Sequence, residues 1–217
     1  MAKAVIFDLD GVLVDSERLI AQEMCAAFAA HGYALEPAAY HIRFHYVPLE
    51  RTAEIVAEES GIDLPADLIP KLRVRLNEVY DTQLQAVDGV VEMLQSLGRI
   101  VAIASGSLPR GIDAKLRRTG LKAFFEPHIY SVFDLDHAPR KPAPDIYLHT
   151  AARLGLAPHE CVAIEDAPAG VEAGVAAGMR TLGFTGGGHD YPGLAERLRE
   201  AGADAVFHDM RLLSTLL

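Results

Sequence analysis

The chain carries short apolar runs, each ending in a polar cluster, separated by stretches whose apolar residues recur at helical spacing. Val5-Ile6-Phe7 runs into Asp8-Leu9-Asp10-Gly11, Ile100 to Ala104 into Ser105-Gly106-Ser107, and Cys161-Val162-Ala163-Ile164 into Glu165-Asp166. Arg180 to Phe184 ends in a glycine run and Ala205-Val206-Phe207 in His208-Asp209. Continuous apolar runs of this length read as strands buried on both faces, as in a parallel sheet. The stretches between them, roughly 88–98, 108–119, 144–155, 167–178 and 191–201, read as helices. Regular alternation of the two predicts an α/β fold, a Rossmann-like doubly wound parallel sheet with helices on both faces.

The alternation fails once. From residue 16 to about 82 no strand pattern occurs, while Leu19, Met24 and Phe28, then Ile55 and Val56, then Leu68, Leu72, Leu76 and Val79 follow helical spacing. Asp15-Ser16 offers an N-cap, and Gly32, Pro37, Pro48, Gly61 and Pro65 punctuate the stretch. This predicts an inserted α-helical cap domain over 15–82, within a catalytic core made of 1–14 and 83–217. Gly186-Gly187-Gly188 reads as a flexible loop, and Gly170, Gly174 and Gly178 as the close-packing face of a helix on the sheet.

Composition narrows the class. With 217 residues, half of them hydrophobic, the chain can build a real core. No stretch of about 20 apolar residues exists to span a membrane. Met1-Ala2-Lys3-Ala4 runs straight into a strand without a signal-peptide h-region, so a cytoplasmic protein is expected. The net charge of −10 argues against a nucleic-acid partner. Cys25 and Cys161 suggest neither a disulfide framework nor a zinc cluster.

Chemistry is expected beyond the carboxyl ends of the strands, where parallel sheets bind ligands. Asp8, Asp10, Ser105, Glu165 and Asp166 all stand there, and Lys141 sits in an Arg-Lys-Pro turn before a helix. Several carboxylates meeting at one edge would repel one another unless a hard cation held by oxygen ligands neutralised them; Mg²⁺ suits such a set together with phosphate oxygens. Ser105 and the backbone N–H groups at Gly106 and Ser107 suit an anion at a helix start. A carboxylate can act as a nucleophile and form an aspartyl-phosphate, and a second can protonate the leaving oxygen and then activate water.

These residues resemble the four motifs of the haloacid dehalogenase superfamily, in order and across essentially the whole chain. Phe7-Asp8-Leu9-Asp10-Gly11-Val12-Leu13-Val14-Asp15-Ser16 is similar to motif one, Ser105 to motif two, Lys141 to motif three, and Ile164-Glu165-Asp166 with Ala167-Pro168-Ala169-Gly170 to motif four. The helical insertion resembles the small cap of β-phosphoglucomutase-like members. The resemblance implies that Asp8 is the nucleophile and a metal ligand, and that Asp10 is the general acid/base and also a metal ligand through its carbonyl. Ser105, Gly106 and Lys141 would bind the phosphoryl group, and Asp166, with Glu165, would hold Mg²⁺.

An acid at Asp10 separates the chain from the dehalogenases, and the single cap lysine, Lys71, does not match the phosphonate-cleaving pattern. Ile20 and Leu49 stand where β-phosphoglucomutase has a histidine and an arginine, which disfavours a mutase. A receiver-type phospho-acceptor domain would lack both the cap and Asp10. The stretches 43–49 and 80–86 most resemble sugar-phosphate phosphatases of the 6-phosphogluconate phosphatase branch, where glycine is usual at the position of Tyr46. The expectation is a monomeric Mg²⁺-dependent phosphatase for a small phosphorylated sugar or sugar acid, with Arg43, His45, Tyr46 and Arg75 as substrate contacts. His41 and His45 have i, i+4 spacing that can bind zinc, but no acid lies between them as in metalloproteases, so they read as surface or substrate-contact histidines. Asp145 reads as the cap of the 144–155 helix.

Overall fold

The computed structural model describes residues 2–217; Met1, the first residue of the expected core, lies outside them. In chain order β1 (Ala4–Phe7) is followed by α1 (Ser16–Ala29), α2 (Pro37–Phe44), α3 (Leu49–Ser60), α4 (Leu68–Gln83) and α5 (Val90–Ser96). Next come β2 (Ile100–Ser105), α6 (Pro109–Arg118), α7 (Lys122–Phe125), β3 (Ile129–Ser131), α8 (Asp145–Leu154) and β4 (Cys161–Glu165). The chain ends with α9 (Pro168–Ala176), β5 (Arg180–Phe184), α10 (Leu194–Glu200), β6 (Ala205–Phe207) and α11 (Leu213–Leu216). All neighbouring strands are parallel, in the order β3-β2-β1-β4-β5-β6. This is the doubly wound order, and its switch point lies at β1, where ligands bind beyond the strand ends.

Alternation along the strands sorts side chains by size onto two faces. Val5, Phe7, Ile103, Val162 and Ile164 join the larger core, where Phe7 meets Phe125 edge to face at 6.0 Å. Ala4, Ile6, Ala102, Ala104 and Ala163 pack on Ile146, Tyr147 and Ala173 from α8 and α9. Those small residues let α9 lie close to the sheet. A Cβ on Gly174 would stand 2.5 Å from Thr181 Oγ1 and one on Gly170 would stand 2.1 Å from the Glu165 carboxyl group. Gly170 and Gly174 therefore serve helix–sheet contact, whereas Gly178 lies past α9 with φ 77° and open space where a Cβ would point.

The chain leaves and re-enters the sheet region along two adjacent segments. Asp15 N–H donates to Gln85 O at 3.0 Å and Val87 N–H to Leu13 O at 3.0 Å, flanking an antiparallel bridge between Val14 and Ala86. Between them lie α1 to α4, whose inner residues Leu19, Met24, Phe28, Val56, Leu72, Leu76 and Val79 are buried together. Gly61 closes α3 in the left-handed conformation that a residue with a Cβ avoids. Among the described residues no helix is long and apolar enough to cross a membrane.

Asp15 stands at the N-cap position of α1 as expected, but its side chain makes no cap bond, and its Oδ2 accepts from Arg18 Nε at 2.6 Å. Asp145 is the first residue of α8 and not its cap, which falls on Pro144. The Gly186–188 run is not a loose loop. A Cβ on Gly186 would stand 2.1 Å from His208 O, one on Gly187 2.5 Å from Gly11 O, and one on Gly188 2.5 Å from Asp15 Oδ1. Glycine is needed there because Gly187 and Gly188 pack against the segment after β1 and Gly186 against the His208 carbonyl.

Candidate active site

Asp8 follows β1, Glu165 ends β4 and Asp166 follows it, so the central strands deliver three buried carboxylates to one point. Oxygens from the three lie within 4.8 Å of one another. Lys141 answers part of their charge. Its ammonium donates to Asp8 Oδ1 at 2.5 Å, to Glu165 Oε1 at 2.6 Å and to Ala104 O at 3.0 Å, and Tyr147 Oη donates to the same Glu165 oxygen at 2.5 Å. Burial pushes the Asp8 carboxyl well above the usual carboxylate range; Lys141 pulls it down, and Glu165, Asp166 and Asp10 push it up. Burial opposes charge on Lys141, but Asp8 and Glu165 outweigh it and hold the ammonium above its ordinary value.

Three carboxyl groups crowd around one ammonium, and Glu165 Oε2 has no hydrogen-bond partner. Such orphan oxygens are costly unless a cation or water meets them. The donor set is all oxygen, which fits a hard cation such as Mg²⁺.

Asp10 lies past the end of β1, so strand alternation does not align it with Asp8. Its carboxylate is held apart from the Lys141 cluster. Ser16 Oγ donates to Oδ1 at 2.5 Å, Ser107 Oγ to Oδ2 at 2.6 Å, and Lys115 also donates to Oδ1. Burial works to raise the Asp10 pKa, but the Lys115 charge and these three donors outweigh it and hold the carboxyl below its ordinary value. Lys115 lies on the buried face of α6 with Ile112 and Leu116. Glu17, in the first turn of α1, is half-buried nearby; burial, followed by the Asp10 charge, pushes its carboxyl up to about 7.

Ser105 ends β2 and is buried, accepting from Ser107 N–H at 3.0 Å. Gly106 follows with open space where a side chain would point.

The helical stretch contributes Tyr46 and two histidines. Tyr46 follows α2 in the left-handed conformation (φ 68°), and its hydroxyl donates to Asp166 Oδ1. A bulky residue with positive φ is a true outlier. His189, brought in by the glycine run, places Nε2 2.9 Å from Asp166 Oδ2, and His45 Nε2 stands 3.8 Å from the same oxygen. Burial would lower the His189 pKa, but the Asp166 carboxylate outweighs it and raises it. Burial presses His45 down to about 3 and His41 down to about 4. Neither histidine is a surface group: His41 is 4% exposed and the His45 side chain 2%.

Asp8, Asp10, Ser105, Gly106, Lys141, Glu165 and Asp166 thus gather around the switch point, and His45 and Tyr46 reach it from α2. Arg43 and Arg75 are not brought there. Arg43 is tied to Tyr33 and Glu59, and Arg75 to Glu23 and Glu78, in exposed pairs on the helical stretch. Lys115, Tyr147, His189 and Glu17 are additions. The i, i+3, i+4 pattern of Ile112, Lys115 and Leu116 marks Lys115 as inward-facing, and the glycine run flags His189.

A family model described as haloacid dehalogenase-like hydrolase matches residues 2–178. The chain belongs to this family. Among solved structures it is similar to a conserved haloacid dehalogenase-like protein of unknown function from Agrobacterium tumefaciens, with 38% identity and a TM-score of 0.96 over 100% of this chain and 97% of that one. Among curated relatives it is 32% identical to the phosphorylated carbohydrates phosphatase of Thermotoga maritima, over 99% of this chain and 98% of that protein. It is 26% identical to the 6-phosphogluconate phosphatase of Escherichia coli, over 88% of this chain and 86% of that protein. The haloacid dehalogenase-like assignment carries with it a hydrolase on a Rossmann-like sheet.

Proposed function

We propose that the chain is a Mg²⁺-dependent phosphatase acting on a small phosphorylated carbohydrate through an aspartyl-phosphate on Asp8. The observation that carries this reading is the Lys141 ammonium shared between Asp8 and Glu165 beside Asp166. It holds the nucleophile's carboxyl group against a cation, whose charge opposes the rise that burial imposes on its pKa. Relatives named for phosphatase activity on phosphorylated carbohydrates support the substrate class.

In this reading an Asp8 oxygen attacks phosphorus, the bond to the sugar oxygen breaks, and Asp10 gives that oxygen a proton. A water then loses a proton to Asp10 and attacks phosphorus, the bond to Asp8 breaks, and phosphate leaves. Asp10 is ionised as it stands, ready as a base. It gains its proton for the first step as the approaching phosphate dianion offsets the pull of Lys115. The Ser105 hydroxyl and the Gly106 N–H donate to the phosphoryl oxygens. Asp8, Asp166, the Asp10 carbonyl and Glu165, directly or through water, would hold Mg²⁺, which supplies charge stabilisation to the transferring group. We assign 15–82 as a cap domain over a core of 1–14 and 83–217, hinged at the Val14–Ala86 bridge, and a cytoplasmic monomer as the working form.

The test is phosphate release from a panel of sugar phosphates, sugar-acid phosphates and nucleotides. The reading expects release from a sugar or sugar-acid phosphate, lost with a chelator and restored by Mg²⁺. Isomerised sugar phosphate without free phosphate, or activity indifferent to chelation, contradicts it.

A further inference from the structure

One cluster shares only Asp166 with that reaction. His45 Nε2, His189 Nε2 and Asp166 Oδ2 all lie within 4.8 Å of one another. Their side chains are 2%, 0% and 0% exposed. Although His189 Nε2 is 2.9 Å from the carboxylate oxygen, the ring N–H direction misses it. Both atoms lack a hydrogen-bond partner, as do both nitrogens of His45 and Nδ1 of His189 and of the neighbouring His41. Buried imidazoles ordinarily find partners, because an unmet polar group there costs about 1–3 kcal/mol. Here several unmet groups face one another.

We propose that His45, His189 and Asp166 form a second cation site, built for a borderline divalent transition metal such as Zn²⁺. Two imidazoles and a carboxylate suit zinc-type ions, whereas Mg²⁺ and Ca²⁺ select oxygen donors. Donors about 2 Å from a tetrahedral ion stand about 3.3 Å apart; the observed 2.9 Å and 3.8 Å bracket that separation. Two close backbone approaches build the site: a Cβ on Gly11 would lie 1.9 Å from Asp166 Oδ2, and one on Gly187 2.6 Å from the His189 ring. Tyr46 holds the other Asp166 oxygen, which fixes the carboxylate's orientation. His45 comes from the end of α2 and the other two from the sheet region, so an ion here staples the helical stretch to the sheet. This inference stands apart from the phosphatase reading.

Co²⁺ is the probe, added to the whole chain in excess Mg²⁺. An Asp8→Asn variant removes the oxygen-rich site's contribution while leaving the histidines. It should bind one Co²⁺ per chain and show paramagnetically shifted, exchangeable imidazole protons by NMR. His45→Ala and His189→Ala should each weaken Co²⁺ binding by at least about 100-fold. Loss of all Co²⁺ binding in Asp8→Asn, displacement of Co²⁺ by Mg²⁺, or histidine variants that bind as the parent does would overturn the proposal. If a histidine variant fails to fold by circular dichroism, the Asp8→Asn spectrum decides: shifted imidazole protons support the site and their absence refutes it. Because the readout is binding, failure here is distinct from failure of the phosphatase assay.

Discussion

Lys141 Nζ lies 2.5 Å from Asp8 Oδ1, and both groups are buried. Breaking a buried pair strands the remaining charge, at a cost of about 3–5 kcal/mol. Lys141→Met should therefore lower stability by about that much near pH 8, and by less near pH 5, where Asp8 can take up a proton. It should also cut kcat/KM by roughly 10²- to 10⁴-fold, since a protonated Asp8 is no nucleophile. Denaturant unfolding at the two pH values, with steady-state rates, checks this; equal stability to the parent at both would refute the pairing.

Lys115 is the first charge opposing burial at Asp10. Lys115→Met should raise the Asp10 pKa, so the acid limb of the kcat/KM profile moves to higher pH. The loss of rate near neutrality should be roughly 10- to 100-fold. A pH–rate profile with an unmoved acid limb would mean that Asp10 does not set it.

Glu17 titrates from an ordinary 4.5 to about 7 in the folded chain. A raised carboxyl pKa means the folded state binds the proton more tightly than the unfolded one. The stability it contributes is full below about 4.5 and is lost as pH rises through about 7. Glu17→Gln should match the parent near pH 4.5 and exceed it by about 1–3 kcal/mol near pH 8 in metal-free buffer. Parallel stability curves for the two proteins would remove Glu17 from this account.

Tyr46 occupies a left-handed position beside Asp166. Tyr46→Gly relieves about 1–2 kcal/mol of backbone cost but forfeits about 0.5–1.5 kcal/mol of ring contact with His45 and about 1.5–3 kcal/mol of hydrogen bond to the Asp166 carboxylate, so stability should fall by about 1–3 kcal/mol. Removing the ring opens space next to the phosphate end of the site. Preference measured as kcat/KM across the ester panel should shift toward bulkier substrates; an unchanged ranking would show that Tyr46 does not shape the pocket.

What the chain discloses before folding follows from local physics. Strand ends are legible because a buried parallel strand must be apolar and then stop, so Asp8, Ser105, Glu165 and Asp166 stand out. Helical spacing turns Lys115 inward, but only tertiary packing names Asp10 as its partner, and Tyr147 stays hidden because nothing local points its hydroxyl toward Glu165. His189 depends on Gly187 and Gly188, whose use is contact with a segment more than a hundred residues earlier in the chain. Arg43 and Arg75 differ from expectation for the opposite reason: each long cation finds acids within the helical stretch, Arg43 on α3 and Arg75 on α1 and α4.

The most direct measurement is phosphate release by Asp8→Asn beside the parent, on the best substrate with Mg²⁺, together with intact-mass detection of phosphorylated enzyme. Asn keeps the shape, and Lys141 keeps Glu165 as its partner, so the variant should stay folded. Turnover should fall by roughly 10⁴-fold or more, and the phosphate adduct seen on the parent should vanish. A folded Asp8→Asn protein that still releases phosphate at the parent rate, or still carries the adduct, would contradict Asp8 as the nucleophile.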